Sequence, residues 1–343
     1  MGVTVGRPTP TFRAVYDRVA ARPAWTVCAL LVVGSILGRL FDVSLPPTVR
    51  YLPLAASVVV FGLPHGAVDY LIPAQLDGRS LAASMTLVGS LYAVLGGAYT
   101  ALWLTEPLAA ATIFIALTWF HWGQGDVHAL VSFVGADHID STGLRVATCF
   151  VRGGLPMFVP FLAFPERYRA VLETWVELFG GDLSATWAFV PHLRLFGGAV
   201  FLAVTVGVLL VGHRRAGETR GWRIDAGETA LLWALFFTVP PILAVGVYFC
   251  VWHSLRHVLR FSAIDEQEVR TTAGRLFSAF ARKAAPLTVL ALVFLVLFGL
   301  LAPASPSNAS EFTGLYLVFV AVLTLPHVAV VTWMDHREGV WNS

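Results

Sequence analysis

Five histidines carry the chemistry this sequence offers. His65, His121, His253, His257 and His327 lie inside or at the ends of long apolar runs. At such depth in a membrane an ionisable side chain is costly, and it faces the bundle interior. One buried histidine is an ordinary structural residue. Five of them on four separate runs form a different pattern, in which packed helices project imidazoles onto one point and hold a metal ion. The cysteines offer nothing comparable. Cys28, Cys149 and Cys250 all sit in apolar runs, and three cysteines in 343 residues make no disulfide framework.

The local contexts sharpen the pattern. His253 and His257 stand four apart in Trp252-His253-Ser254-Leu255-Arg256-His257, which places both rings on one face of a helix. A zinc protease uses the same spacing but needs Glu directly after the first His, and Ser254 stands there. His65 follows Pro64, which cannot donate to the carbonyl of Val60, so the helix kinks or opens just before the histidine. Gly62 and Gly66 flank His65 and permit close approach of a neighbouring helix or a ligand. Asp69 is four residues beyond His65 and can fix an imidazole tautomer; equally, Asp69 and Tyr70 read as the polar end of that helix. His121 lies between Trp119 and Asp126 in an aromatic setting, where Gln124 and Asp126 either support the ligands or mark the helix end. His327 sits in Leu325-Pro326-His327, which repeats Leu63-Pro64-His65. His128, His138, His192, His213 and His336 fall in polar gaps or at their edges and read as surface groups.

Imidazole nitrogen suits Zn, Cu, Fe or Ni. Four imidazoles leave two open positions in an octahedron, which is what dioxygen activation at iron needs. Trp119, Trp122 and Trp252 crowd the histidines, and with Gly62 and Gly66 they are expected to line an apolar tunnel that opens into the bilayer. Three rival readings have recognisable signatures. A diiron desaturase or hydroxylase uses several histidine boxes with an adjacent His pair, which is absent here. A carrier of a long apolar or polyene pigment, or a transporter with proton-relaying histidines, needs no iron. A haem-binding bundle would show in an optical spectrum.

The elements that must position these residues are membrane helices. Hydrophobic residues make up 57% of the chain and charged residues 13%, with a mean hydropathy of +0.73. That is far from an average soluble domain. The expected fold is all-α, a polytopic transmembrane bundle of about eight or nine helices forming one integral membrane domain over 1–343. The runs fall at 24–44, 50–72, 81–104, 107–131, 143–164, 192–212, 227–261, 284–302 and 311–334. Residues 165–190 mix charged and aromatic residues and suit a helix lying in the interface. Residues 262–283 read as an exposed loop or short helix. Residues 1–23, with Arg7, Arg13, Arg18 and Arg22 against Asp17, read as a cytoplasmic arm rather than a signal peptide. The positive-inside tendency then conflicts with itself. Basic gaps at 213–223 and 256–283 lie on opposite sides if 227–261 crosses once, unless Pro240-Pro241 bends or re-enters the chain. The net charge of only +2, with Arg spread through loops, excludes nucleic acid as a partner.

In the order Gly62-Leu63-Pro64-His65-Gly66-Ala67-Val68-Asp69, Phe120-His121-Trp122-Gly123, Trp252-His253-Ser254-Leu255-Arg256-His257 and Leu325-Pro326-His327, the chain resembles the Brp/Blh family from about residue 50 to 335. These are prokaryotic integral-membrane β-carotene 15,15′-dioxygenases found alongside microbial rhodopsins. The resemblance implies O2-dependent cleavage of the central double bond of β-carotene into two all-trans-retinal molecules. It also implies Fe(2+) held by His65, His121, His253 and His257, with His327 as a fifth ligand, a replacement ligand or a pocket residue. Membrane lipid as the medium, a microbial rhodopsin as retinal acceptor and a multi-pass location in the cell membrane follow from the same likeness.

Overall fold

The structure, a computed structural model, describes residues 10–183, 186–264 and 273–341. Within them the regular structure is entirely helical, as expected of a chain whose backbone must satisfy its own hydrogen bonds in lipid. Eight helices are long and apolar enough to cross a membrane. They are α1 (Phe12–Leu40), α2 (Thr48–Asp77), α3 (Leu81–Thr105), α5 (Thr142–Ala163), α7 (Pro191–Ala216), α9 (Pro241–Ala263), α10 (Ala273–Leu301) and α11 (Ala309–Glu338). Two more, α4 (Pro107–His128) and α8 (Arg220–Thr238), run alongside them, and α6 (Pro165–Leu178) is the short one.

Contacts at the turns show how the helices run. At one end Arg220 of α8 bonds Asp17 of α1 at 2.9 Å, and Arg337 of α11 pairs with Asp77 of α2 at 2.9 Å. At the other end Arg39 of α1 donates to the carbonyl of Thr238 of α8 at 2.8 Å. There, too, the Ala304 amide donates to the carbonyl of Leu178. α8 and α9 are antiparallel: Glu228 meets Arg256, and Phe236 packs on Tyr248. The chain therefore reverses at Pro240-Pro241, where neither ring nitrogen can continue a helix. The run at 227–261 is thus the end of one helix and most of the next. The two basic gaps fall at the same end of the bundle, so the charge conflict disappears.

Other boundaries also moved. Helix starts at Pro10, not 24, and Phe12, Tyr16, Ala20 and Ala21 are buried in the core. The described part of the basic arm is packed structure, because its apolar residues recur on one helical face. Residues 1–9 of that arm lie outside the described residues. Of the gap at 262–283, residues 265–272 lie outside them as well, and helix α10 takes up the rest from Ala273. Within 165–190, Pro165–Leu178 form α6, which covers the ends of α4, α5 and α11.

α9 and α11 are the most buried spans, whereas α3, α7 and α10 turn most of their residues outward. α4 and α5 form the closest pair. A Cβ on Gly153 would lie 1.8 Å from the carbonyl oxygen of Trp119, and one on Gly123 would lie 2.0 Å from that of Cys149. Only glycine allows this approach, which brings His121 of α4 inward.

Candidate metal centre

Local breaks in the helices aim the five histidines. In α2 the first helical stretch ends at Ser57, whose hydroxyl donates to the Leu54 carbonyl at 2.6 Å. A Cβ on Gly62 would sit 2.2 Å from the Ser57 carbonyl oxygen, so the chain folds tightly there. A short helix at Gly62–Gly66 then carries His65 inward. In α9 a wider π-helical turn over Tyr248–Ser254 presents His253 before the α-helix resumes with His257. His327 follows Pro326 within α11.

All five rings are buried and gathered together. Ring centroids lie 5.5 Å apart for His65–His253, 5.3 Å for His65–His257 and 5.0 Å for His65–His327. The corresponding values are 4.7 Å for His121–His253, 4.8 Å for His121–His327 and 5.1 Å for His257–His327. Donor atoms of His65, His121 and His253 lie within 4.8 Å of one another, as do those of Asp69, His257 and His327.

The second nitrogen of three rings is occupied. His65 donates from Nδ1 to the Gly62 carbonyl. His327 donates from Nδ1 to Asp69 Oδ2 at 2.8 Å, and the same oxygen accepts from the Tyr92 hydroxyl at 2.6 Å. His121 Nδ1 faces Gln124 Oε1 at 3.4 Å. The Gln124 amide is turned by its own donation to Asp335 Oδ2 at 2.8 Å. The Nε2 atoms of His121, His253, His257 and His327 are buried without a hydrogen-bond partner. Leaving so many buried acceptors unsatisfied is costly, and a cation at their centre resolves it. The residues present therefore fit a first-row metal bound by neutral nitrogen.

These supporting contacts differ in part from expectation. Asp69 holds His327 rather than His65, because the helix breaks after Gly66 and Asp69 opens a tighter turn. Tyr70 donates to the Lys283 carbonyl at 3.2 Å. Asp126 accepts from Trp252 Nε1 at 3.0 Å and from Arg256 at 3.1 Å. It belongs to a buried ionic cluster with Arg152, Asp225 and Glu228. His128 and His138, expected at the surface, are 4% and 2% exposed. His128 ends α4 and His138 lies just beyond it, and both turn into the bundle, where His128 meets Glu338 at 3.4 Å and His138 meets Asp225 at 3.0 Å. Arg260 completes this polar layer against Asp335 and Glu338. Tyr92, Arg152, Glu228, Arg260 and Asp335 support the site without standing in any of its histidine motifs. For the charged ones the signal was present, since each is an ionisable residue within or beside an apolar run.

A cavity of about 690 Å³ passes the histidines. Gly62, Gly66 and Trp122 line it, as do His65, His121, His253 and His327. Trp119 and Trp252 do not: Trp119 packs outward against Phe150, Phe158 and Phe201, and Trp252 is fully buried over Arg256. The cavity is lined in part by residues of α3, α10 and α11. It reaches the lipid-facing surface at Met85, Leu290 and Phe294, whose side chains are exposed. Residues of α4, α5 and α9 line it too, as do Tyr168, Val171, Leu172 and Trp175 of α6.

The geometry has sequence relatives. The family described as beta-carotene 15,15′-dioxygenase matches residues 56–335, a stretch that contains all five histidines. The chain is 48% identical over 350 residues to a probable β-carotene 15,15′-dioxygenase, Blh, of Halobacterium salinarum, covering 99% of this chain and 100% of the relative. The chain belongs to the β-carotene 15,15′-dioxygenase family. A second family member, the probable dioxygenase Brp of Halobacterium salinarum, is 30% identical over 301 residues, or 83% of each chain. A β-carotene 15,15′-dioxygenase from an uncultured marine bacterium is 24% identical over 282 residues, covering 81% of this chain and 92% of the relative. No solved structure matches. The family stretch begins within α2, so α1 and its basic start lie outside it.

Proposed function

We propose that this protein cleaves the 15,15′ double bond of β-carotene with O2, giving two molecules of all-trans-retinal, at ferrous iron, Fe(2+), held by His65, His121, His253, His257 and His327. The observation that carries the reading is the set of buried imidazole Nε2 atoms, unpartnered and gathered beside the cavity. Bound iron would supply the activation of O2 that an electron-rich alkene needs. The chain's own residues do the rest. His65 and His327 are held in one tautomer by Gly62 and Asp69, which leaves each Nε2 lone pair free for a cation. Apolar walls from α2, α3, α4, α9, α10 and α11 hold a rigid polyene and keep water from it. The lining extends from the histidines both towards Met85, Leu290 and Phe294 and towards Tyr168 and Trp175, so a long polyene has room on either side of the bond that lies beside them. No side chain has to move a proton, since one alkene and one O2 balance two aldehydes.

The end that carries Asp17, Arg220, Arg337 and the basic gaps faces the cytoplasm under the positive-inside tendency, and the cell membrane is the location that suits a lipid substrate. Membrane lipid delivers β-carotene, and a microbial rhodopsin is a fitting acceptor of the retinal. The test is expression in carotene-producing cells, with iron per chain and retinal measured for the intact protein and for His65→Ala, His121→Ala, His253→Ala and His257→Ala. Loss of colour and appearance of retinal with the intact chain, and loss of both iron and retinal in the variants, are expected. Pigment bound without metal and without cleavage would favour the carrier reading instead.

A further inference from the structure

A separate hollow of about 300 Å³ lies at the end of the bundle that carries the basic gaps. Asp17, Arg22 and Trp25 of α1 and Arg220, Arg223 and Ile224 of α8 line it. A local widening of α1 brings its members together. The Arg22 amide bonds the carbonyl of Asp17, five residues back. In a regular α-helix two such residues point about 140° apart. The π-helical turn over Asp17–Ala21 turns them towards one side. Three guanidiniums thus share the hollow with one carboxylate, and Asp17 is already bonded to Arg220 at 2.9 Å. Arg22 and Arg223 are exposed and have no hydrogen bond or ion pair among the described residues. The Trp25 indole donates to Glu228 at 2.9 Å, and Glu228 is buried against Arg152 and Arg256. The helical rise from Arg22 to Arg39 is about 26 Å, close to the thickness of about 30 Å of a hydrocarbon core. Arg39 holds the Thr238 carbonyl at the far end, so Arg22 stands at headgroup level. Beyond Arg22 the same face of α1 is apolar and outward: Val33, Ile36 and Leu40 are 52%, 49% and 73% exposed.

We propose that this hollow binds the headgroup of an anionic membrane phospholipid, with its phosphate between Arg22 and Arg223 and an acyl chain along Val33, Ile36 and Leu40. A guanidinium fork matches phosphate oxygens in geometry as well as charge. The two positive charges left over favour a headgroup without an ammonium, which would meet its own sign here. A soluble anion could use the arginines but not the apolar stripe beyond them, and the tryptophan beside them suits the membrane interface. The bound lipid clamps α1, which lies outside the family stretch, to α8 within it. None of this depends on the reaction at the histidines.

The delipidated protein in detergent is titrated with phosphatidylglycerol and with phosphatidylcholine of the same chains, and bound lipid is counted by native mass spectrometry. One phosphatidylglycerol per chain should bind about 25-fold more tightly than phosphatidylcholine, about fivefold for each free arginine. R22Q and R223Q should each reduce that ratio about fivefold, and R22Q/R223Q should abolish it. R18Q removes the same charge from an exposed position of α1 outside the hollow and should leave the ratio unchanged. Phosphatidylglycerol should raise the thermal midpoint of the intact protein and of R18Q, but not that of R22Q/R223Q. Because the ratio is taken within each variant, a loss of folding that weakens both lipids alike does not imitate the result. Equal affinity of the intact protein for the two lipids overturns the proposal, and so does a ratio that R22Q/R223Q leaves intact. An equal fall in R18Q and R22Q would mean a diffuse surface charge and overturns it too. Inorganic phosphate and glycerol phosphate should not displace the lipid; displacement by either at the concentration of the lipid itself would make this a soluble-anion site instead.

Discussion

Asp69 is the residue on which the outer support of the centre converges, since one of its oxygens accepts from both His327 and Tyr92. Asp69→Asn should lower iron per chain and retinal formation by about 10–100-fold, the usual effect of losing such a support. Tyr92→Phe, which removes only the outer of the two hydrogen bonds, should cost less in both measurements. His336→Ala, at an exposed position, should change neither. At this scale the histidines were legible because depth makes each one expensive. Asp69 was legible from its spacing, but its partner was not: spacing assumes an unbroken helix, and this one breaks after Gly66. Tyr92 gave no signal at all, because it meets Asp69 only through the packing of α3 on α2. Trp119 and Trp252 show the opposite limit. Nearness in sequence to a ligand says nothing about which wall of the helix a ring occupies.

The elements depend on close helix contacts as much as on apolar length. Gly153→Val would drive its side chain into the Trp119 carbonyl. α5 must then withdraw from α4, which carries His121. Overpacking of this kind should destabilise the protein by about 1–3 kcal/mol or more, read as a lower thermal midpoint in detergent together with reduced iron per chain. Gly143→Ala, where a Cβ meets nothing within 4 Å, should stay within about 0.5 kcal/mol of the parent. Most helices were legible as apolar runs, and their ends moved by only a few residues. The failures have a common cause. Hydropathy counts apolar residues, so it runs through the reversal at Pro240-Pro241, where no polar gap marks the turn. It also stops short of Phe12–Ala21, where a helix buries one face under a basic exterior.

For the whole molecule, the reversal between α8 and α9 settles the direction of everything after it. With the protein in sealed vesicles and Cys28, Cys149 and Cys250 replaced, single cysteines at Glu218 and His336 should react with an impermeant label from the same side. One at Asp182 should react from the other. Labelling of Glu218 and His336 from opposite sides would refute the arrangement. The sequence left two arrangements open, a single crossing or a bend at Pro240-Pro241, and only the packing of α8 on α9 decides between them. The charges of the buried layer were in view, since Arg152, Arg256 and Arg260 lie within or beside apolar runs, but their partners were not: pairing is a property of neighbouring helices, not of any one run.

The opening at Met85, Leu290 and Phe294 faces hydrocarbon. A molecule that enters there never passes through water. The quantity that sets occupancy of the centre is then the mole fraction of pigment in the surrounding bilayer, and arrival is a two-dimensional search. Diluting the vesicles tenfold in buffer should leave the turnover of each protein unchanged, whereas diluting the pigment tenfold with plain lipid should slow it whenever the cavity is not already full.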